Sequence, residues 1–324
     1  MEKLNDRASI HLCTLFDSSF LAQGIALIES VEANASGQIH WTILALDSFT
    51  RSKLDSLSKP NISIVLFDDF EDKALRALVG ERPWREICWT SAACLLRYCL
   101  NSSEEYSFVG YVDADCFFVG DIFKMVSEIP DSKNIAIHEH RYSPDRIEWL
   151  QKSGRFNVGV VIGRPETEFN TCVEVWRDQV LHRCDVNMFE GRCGDQTYLN
   201  EWPQKYKSLH IFENPGIGLA PWNLNNYEIN SINNRLFIED YSVIFFHFHG
   251  LQFRLCRSLI VFYVAASGYQ IRILPIKTIY KPYVSTILLN SERLGLHSHQ
   301  VNFRKDFMWL IRNTLKGQLN MARK

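Results

Sequence analysis

Strand and helix patterns alternate through the first hundred residues, and this alternation constrains the fold more than any other feature of the sequence. Short apolar runs rich in β-branched and aromatic residues predict strands, and the segments between them have helical spacing. Strands that alternate with helices predict an α/β fold, with a mainly parallel central sheet and helices on both faces. The predicted strands cover residues 9–16, 39–46 and 61–67, and the predicted helices cover residues 21–33, 50–57, 71–79 and 90–100.

A further strand is predicted over the apolar run of residues 106–118, which contains Asp113-Ala114-Asp115. Carboxylates at i and i+2 on an extended chain point to the same side, and such a pair can seat a hard divalent cation. A cation there can hold a diphosphate and neutralise charge on its oxygens, which suggests a nucleotide-linked substrate. Asp-x-Asp also occurs in phosphatases that form an aspartyl-phosphate and in ordinary turns. Ligands of parallel sheets bind at the carboxyl ends of the strands, so we expect Asp17, after the first strand, to share the same crevice.

The second half of the chain has a less regular pattern. Strands are predicted over residues 135–137, 156–163 and 243–248, and a helix over residues 169–181. Another helix is predicted to start in residues 194–200, which places Asp195 near its N-terminal end. No repeat or low-complexity linker interrupts the first 250 residues. We therefore predict a catalytic domain over residues 1–250 and a basic, partly helical C-terminal extension over residues 251–324.

Composition and charge limit the class of protein. Nine cysteines without a Cys-x-x-Cys pair favour reduced thiols in a cytoplasmic protein over a disulfide framework. The N-terminus is polar, and the apolar run of residues 259–266 is too short to span a bilayer. The net charge of −2 hides an asymmetry, because residues 271–324 hold ten Lys or Arg against Glu292 and Asp306. That basic tail predicts contact with something anionic, and the chain contains no recognisable nucleic-acid module.

Several spaced motifs in residues 10–250 resemble nucleotide-sugar-dependent glycosyltransferases of the GT-A fold, especially glycosyltransferase family 8. The chain is also similar to bacterial glycosyltransferases that act in surface-polysaccharide synthesis. The segments that carry the two resemblances are Thr14-Leu-Phe-Asp-Ser-Ser-Phe20, Glu86-Ile-Cys-Trp-Thr90, Tyr111-Val-Asp-Ala-Asp115, Glu139-His-Arg141, Phe156-Asn-Val-Gly-Val160, Gly194-Asp-Gln196, Ala220-Pro-Trp-Asn223, Phe246-His-Phe-His249 and His247-x-x-Gly250.

The resemblance implies a role for each matching residue. Asp17 would accept a hydrogen bond from the base of the nucleotide and Ser19 would lie near the ribose, although Asp17 could instead be a turn or helix-capping residue. Asp113, Asp115 and His247 would bind the metal, Mn²⁺ or Mg²⁺, and imidazole combined with carboxylates suits Mn²⁺ better than Ca²⁺.

The resemblance also implies a donor-sugar pocket. Asn157 would lie near the donor sugar or the acceptor, and Asp195 and Gln196 against the donor sugar. Asp195 could instead be only a helix cap. His249 could contact the substrate or be a core histidine.

Two positions depart from the family pattern. An arginine expected near the start of the helix before the metal strand is Ala93 here, and Arg97, one helical turn later, is the predicted substitute. A Lys-Pro-Trp expected after His247-x-x-Gly250 is absent, and Arg254 is the predicted diphosphate contact, with Arg257 second. Either arginine could equally be a surface residue.

The sequence thus predicts a metal-dependent hexosyltransferase that uses a nucleotide-diphosphate sugar, UDP-linked by resemblance, and a glycan or lipid-linked acceptor, with retention. Glu139 or Asp195 could alternatively serve as an inverting base, and a non-catalytic nucleotide-sugar-binding protein on the same fold stays open. Residues 303–324 carry a basic and apolar pattern at helical spacing, which would suit the inner face of an anionic cytoplasmic membrane or an ordinary packed helix.

Overall fold

The computed structural model describes residues 9–103, 105–187, 193–233, 235–255, 260–264, 269, 276–296, 309, 313 and 319–323. For residues 253–255, 260–262, 264, 276, 319 and 321–323 it describes the backbone alone.

A seven-stranded sheet forms the centre of the protein, in the order β3-β2-β1-β4-β7-β6-β8. Strand β7 runs antiparallel to both of its neighbours, and the other pairs are parallel. The predicted α/β fold with a mainly parallel sheet is therefore confirmed. The strands are β1 (Ser9–Phe16), β2 (Gln38–Ala45), β3 (Ile62–Leu66), β4 (Phe108–Val112), β6 (Ile135–Glu139), β7 (Phe156–Gly163) and β8 (Leu209–Ile211), with β5 (Cys116–Phe118) beside them.

Helices cover both faces of this sheet because its strands are apolar on both sides. Leu12 and Trp41 pack with helix α1 (Leu21–Asn34) on one face. Cys13 and Leu44 pack on the other face with α4 (Trp84–Leu100) and α7 (Thr167–His182). The remaining helices of this part are α2 (Ser48–Ser56), α3 (Lys73–Ala77), α5 (Ile122–Val126), α6 (Trp149–Ser153) and α8 (Trp202–Lys205), and short 3₁₀ helices cover Phe67–Asp69, Pro144–Arg146, Gln196–Glu201 and Leu224–Asn226.

Smaller sheets follow the central one. They comprise β9 (Ile229–Ile232), β10 (Arg235–Ile238), β11 (Tyr241–Ser242), β12 (Phe245–His247), β13 (Gln252–Leu255), β14 (Ile260–Val264) and β15 (Leu319–Arg323). Strand β12 pairs antiparallel with β5, and the register places His247 opposite Cys116. The Phe248 amide continues this pairing by donating to the Asp115 carbonyl at 2.9 Å. The pairing therefore brings residues near position 247 against the Asp113–Asp115 segment.

A π-helical turn (Ile276–Tyr280) and helix α9 (Lys281–Arg293) close the apolar layer behind β12. Tyr283 is fully buried and stacks on Phe248, and Arg293 pairs with Glu29 of α1 at 2.7 Å. Most of the amphipathic segment predicted within residues 303–324 lies outside the described residues, and its described end, residues 319–323, is strand β15 and not helix. Within the part of the chain that the structure describes, no helix is long and apolar enough to cross a membrane.

Candidate active site

Asp113 and Asp115 lie in a turn between β4 and β5, so the predicted single strand over residues 106–118 is wrong. The turn forms because the Cys116 amide donates to the Asp113 carbonyl at 3.0 Å, which ends the extended backbone after Val112. Asp113 is nevertheless held at the sheet, since its amide donates to the Gly159 carbonyl of β7 at 3.0 Å. The two carboxylates therefore approach one another through the turn and not through the i, i+2 alternation of a strand.

His247 faces both carboxylates. Its Nε2 lies 3.0 Å from Asp115 Oδ1 and 3.8 Å from Asp113 Oδ2, and the residue is 5% exposed. Tyr111 donates its hydroxyl to the other oxygen of Asp113 at 2.9 Å. The three predicted metal ligands thus come together at the carboxyl end of β4, where parallel sheets place their ligands.

Burial and mutual charge set the pKa values of this group. Burial raises the pKa of Asp113, and the charge of Asp115 raises it further against the attraction of His247. Burial also acts to raise the pKa of Asp115, but the charge and hydrogen bond of His247 outweigh it and hold the pKa below its usual value. Burial acts to lower the pKa of His247, and Asp115 and Asp113 raise it overall. Two carboxylates that share a single imidazole have a surplus of negative charge, which a divalent cation would neutralise.

Cys116 is a neighbour of this group that the sequence did not single out. One ligand atom from each of Asp115, Cys116 and His247 lies within 4.8 Å of the others. A thiol must lose its proton to bind a metal, and burial together with both aspartates raises the pKa of Cys116 well above its usual value. The carboxylates and the imidazole are therefore the better ligands, and these are the donors that suit Mn²⁺ or Mg²⁺.

Asp195 and Gln196 reach the site from the turn that precedes the Gln196–Glu201 helix. Gly194 permits this turn with a φ of +66°, and Trp176 Nε1 donates to the Asp195 carbonyl at 3.0 Å. Asp195 occupies the N-cap position of this helix, as the alternative of a helix cap expected, but its side chain makes no capping hydrogen bond. Burial, followed by the charge of Asp113, raises its pKa to about 8. The carboxyl group is therefore close enough to sense Asp113 and is largely protonated at neutral pH in the metal-free protein.

Asn157 connects the two halves of the site. Its Oδ1 lies 3.1 Å from His247 Nδ1, and its Nδ2 donates to Gln196 Oε1 at 3.1 Å. Its Nδ2 also lies 3.2 Å from His140 Nε2. Asn157 is buried in β7. The predicted catalytic residue Asn157 and the predicted metal ligand His247 are therefore in direct contact through Oδ1 and Nδ1.

Asp17 has a structural role in the turn after β1. Its Oδ1 accepts hydrogen bonds from the Ser19 amide at 2.9 Å, the Ser19 hydroxyl at 2.5 Å and the Phe20 amide at 3.3 Å. The turn alternative is thus present in the structure. The assignment of Asp17 and Ser19 to the nucleotide stays a prediction.

Of the two predicted phosphate-binding arginines, the structure describes the side chain of one. Arg97 pairs with Glu174 of α7 and donates to Asn101, and it is not brought to the acidic pair. Helix α4 turns this position toward α7, and Ala93, one turn earlier on the same face of the helix, is fully buried. Only the backbone of Arg254 is described, in β13, and Arg257 lies outside the described residues.

Aromatic rings line the site, and no role was predicted for them. Trp222 is buried and packs 5.2 Å from His247 and 5.7 Å from His249, measured between ring centroids. The ring of His140 stacks on Tyr142 at 4.7 Å with an interplanar angle of 11°. His140 and Trp222 belong to two of the segments that carried the family resemblance. That signal could have marked them as part of the site, but it did not say what they contact.

Two known proteins are similar to this chain in sequence over most of its length. The chain is 27% identical over 285 residues to the uncharacterized protein YfnD of Bacillus subtilis (strain 168), covering 86% of this chain and 88% of the relative. It is 29% identical over 245 residues to the uncharacterized protein YfnF of the same organism, covering 74% of this chain and 80% of the relative. No family model matches the sequence.

Among solved structures, the chain is similar to glycosyltransferases. The match to the bifunctional glycosyltransferase WbbM has a TM-score of 0.45 at 15% identity and covers 68% of this chain but only 41% of that chain. The match to the galactosyltransferase LgtC in complex with donor and acceptor sugar analogs has a TM-score of 0.46 at 14% identity. It covers 65% of this chain and 76% of that chain. The match to mouse xyloside xylosyltransferase 1 has a TM-score of 0.44 at 13% identity and covers 66% of this chain and 88% of that chain. These likenesses are distant and assign no role to any residue.

Proposed function

We propose that this protein is a metal-dependent glycosyltransferase that moves a hexose from a nucleotide-diphosphate sugar, UDP-linked by preference, to a glycan or lipid-linked acceptor. The observation that carries the proposal is the convergence of Asp113, Asp115, Asn157, Gln196 and His247 on one partly buried site from separate segments of the chain. The two carboxylates beside the imidazole make the pocket acidic, and the side-chain amides of Asn157 and Gln196 add polar groups to its lining.

The chemistry follows from the charge distribution of the site. A bound Mn²⁺ or Mg²⁺ held by Asp113, Asp115 and His247 would neutralise the leaving diphosphate. Asp195 and Gln196 then orient the donor sugar, because a buried carboxyl and a carboxamide can hydrogen-bond several hydroxyls. Burial of Asp195 and His247 excludes water, which would otherwise compete with the acceptor.

Transfer with retention is part of the same proposal. An inverting enzyme needs a free carboxylate as general base. Glu139 is paired with Arg155, whereas the pKa of Asp195, raised to about 8 by burial and by Asp113, would suit a general base, so an inverted product would point to Asp195. The anomeric configuration of the product, read from the proton NMR coupling of the new glycosidic bond, tests this point directly.

The first experiment measures thermal unfolding with Mn²⁺ and a panel of nucleotide sugars. A donor present at 100 times its dissociation constant stabilises the folded protein by about 2.7 kcal/mol. Hydrolysis or transfer of the radiolabelled donor is then measured with Mn²⁺ and with a chelator. We expect activity that the chelator abolishes, and near-normal activity with the metal chelated would refute the metal-dependent mechanism.

Variants at the site refine the assignment. Asp115→Ala should abolish transfer and the stabilisation by donor with Mn²⁺, because the diphosphate then meets carboxylate without its cation. Gln196→Ala should lower turnover far more than nucleotide affinity, and an equal loss of both would place Gln196 near the base or diphosphate instead. Asp68→Asn is the matched control, since Asp68 is exposed on another part of the surface. A donor that binds without transfer or hydrolysis would favour the non-catalytic alternative.

A further inference from the structure

The orientation of the Asn157 carboxamide is fixed by the backbone. The Gly159 amide lies 2.9 Å from Asn157 Oδ1, and a backbone N–H can only donate. The atom that faces Gly159 is therefore the oxygen, and the opposite atom is the NH₂ group. The same oxygen faces His247 Nδ1 at 3.1 Å.

This orientation selects one tautomer of His247. An acceptor facing Nδ1 keeps a proton on that nitrogen, so that Nε2 is the nitrogen that can offer a lone pair once a cation replaces its proton. Nε2 is the atom that faces Asp115 and Asp113. A histidine that binds a metal through one nitrogen commonly donates its other N–H to an oxygen in this way, which fixes the ring and its tautomer.

Both hydrogens of the Asn157 NH₂ group face a hydrogen-bond acceptor. One points to Gln196 Oε1 at 3.1 Å and the other to His140 Nε2 at 3.2 Å. His140 Nε2 must therefore be the acceptor, with the ring proton on Nδ1. Burial lowers the pKa of His140 to about 3, in agreement with a neutral ring.

His140 is held firmly enough to act as a fixed acceptor. The ring of His140 packs against Tyr142 and Trp222, with distances between ring centroids of 4.7 Å and 5.1 Å. Its backbone amide donates to the Arg155 carbonyl at 2.9 Å, and its carbonyl accepts from Asn223 Nδ2 at 2.9 Å. The ring therefore cannot turn away from Asn157 without disturbing packing and two backbone contacts.

We propose that His140 and Asn157 are positioning residues: His140 locks the Asn157 carboxamide, which in turn sets the His247 tautomer for metal binding and fixes the Gln196 side chain. Without an acceptor at position 140, the carboxamide keeps the Gly159 amide and Gln196 Oε1 but loses one of the contacts that hold its NH₂ group in place. Rotation by half a turn would place that NH₂ group against His247 Nδ1 and move the ring proton to Nε2, where it would oppose a cation. The role of Gln196 rests on the proposed glycosyl transfer, whereas the tautomer of His247 does not.

The test compares His140→Phe, which keeps a ring but has no acceptor, with His140→Gln, whose side-chain oxygen can accept from Asn157. His138→Phe is the matched control, because His138 is also fully buried on β6 and makes no hydrogen bond to Asn157. Nitrogen-15 NMR of histidine-labelled protein loaded with Zn²⁺, a diamagnetic cation that imidazole and carboxylates also bind, reports which nitrogen of His247 carries the proton, with the signals assigned through a His247→Gln variant. Titration with Mn²⁺ alone, followed by electron paramagnetic resonance, gives the metal affinity.

We expect the wild type and His138→Phe to have the proton of His247 on Nδ1. His140→Phe should shift the population toward Nε2 and weaken Mn²⁺ binding by up to about tenfold, the lower end of the effect of losing a direct partner of a metal-binding histidine, because His140 acts through Asn157; His140→Gln should recover part of the affinity. A wild-type ring protonated on Nε2, or equal losses in the His140→Phe and His138→Phe variants, would overturn the proposal. Both measurements need no sugar, so they stand or fall separately from the proposed transfer reaction.

Discussion

Replacing Asp195 with Asn should make the metal-free protein more stable, and the gain should grow with pH. Burial and the charge of Asp113 raise the pKa of Asp195 from its usual 3.8 to about 8. The folded protein therefore holds this proton more tightly than the unfolded chain does. Its stabilising effect is fully present below the unfolded pKa and is lost as the pH rises through the folded pKa. Asn resembles the protonated acid in shape and has no proton to lose.

The size of the effect follows from the shift. A displacement of about four pKa units, at about 1.36 kcal/mol per unit, gives a ceiling of roughly 5–6 kcal/mol above pH 8. Relaxation and water penetration reduce such penalties in real proteins, so we expect a gain of about 2–4 kcal/mol at pH 8 and little difference at pH 4. Most of the change should fall between these two values.

The assay is urea unfolding of the wild type and Asp195→Asn at pH 4, 6 and 8, with a chelator present so that no cation offsets the carboxylate charge. Asp68→Asn, at an exposed position, is the control and should show no such trend. A stability difference that stays constant from pH 4 to pH 8, or an Asn variant less stable at pH 8, would refute the burial and charge argument. The same variant should have lower transfer activity, because the carboxamide has one accepting oxygen for the sugar hydroxyls, whereas both oxygens of the carboxyl group can accept.

Three further predictions concern packing and ion pairs. Gly218→Ala should destabilise by at least about 2 kcal/mol in a denaturant titration, because Gly218 has a φ of +79° and a Cβ there would collide with the His138 ring; a neutral effect would contradict this. Arg82→Ala should cost about 1–3 kcal/mol and Arg82→Lys somewhat less, since the guanidinium donates to three carbonyls at the end of α7; equal stability of all three proteins would rule it out. Arg177→Ala should cost about 2–3 kcal/mol at neutral pH, because Arg177 makes a two-pronged contact with Asp72 at 2.7 and 2.9 Å. Burial acts to raise the pKa of Asp72, but Arg177 holds it below its usual value. The loss of stability in Arg177→Ala should therefore shrink as the pH falls below about 4. A loss that persists at about pH 2.5 would argue against the ion pair.

Local sequence pattern predicted the regular elements well where a segment is apolar throughout. The predicted strands at residues 9–16 and 156–163 have the same bounds as β1 and β7. Both are buried on both faces, so their apolar runs end where the strands end. Helix α4 was predicted too short, because it begins at Trp84 directly after Pro83, in a half-exposed first turn that lacks a clear apolar face.

The sequence was a weaker guide to side-chain direction. The approach of Asp113 and Asp115 was correctly expected, but the reason given, an extended chain, was wrong. Arg97 was expected at the site, and the structure turns it toward Glu174. Helical spacing says which residues share a face, and it does not say which neighbour that face meets.

The order of strands and helices, their lengths and the chemical types at the strand ends were determined by the sequence itself, because hydrophobic periodicity and turn chemistry act over a few residues. Which of these ends meet was decided only by the tertiary structure. Asn157 contacts Gln196, 39 residues away, and His247, 90 residues away, and the pairing of β12 with β5 sets the second contact. The same contacts fix the orientation of one carboxamide and the tautomer of one imidazole. Such choices depend on long-range packing and on how few hydrogen-bond partners a buried site offers, and neither is encoded in any single segment of the chain.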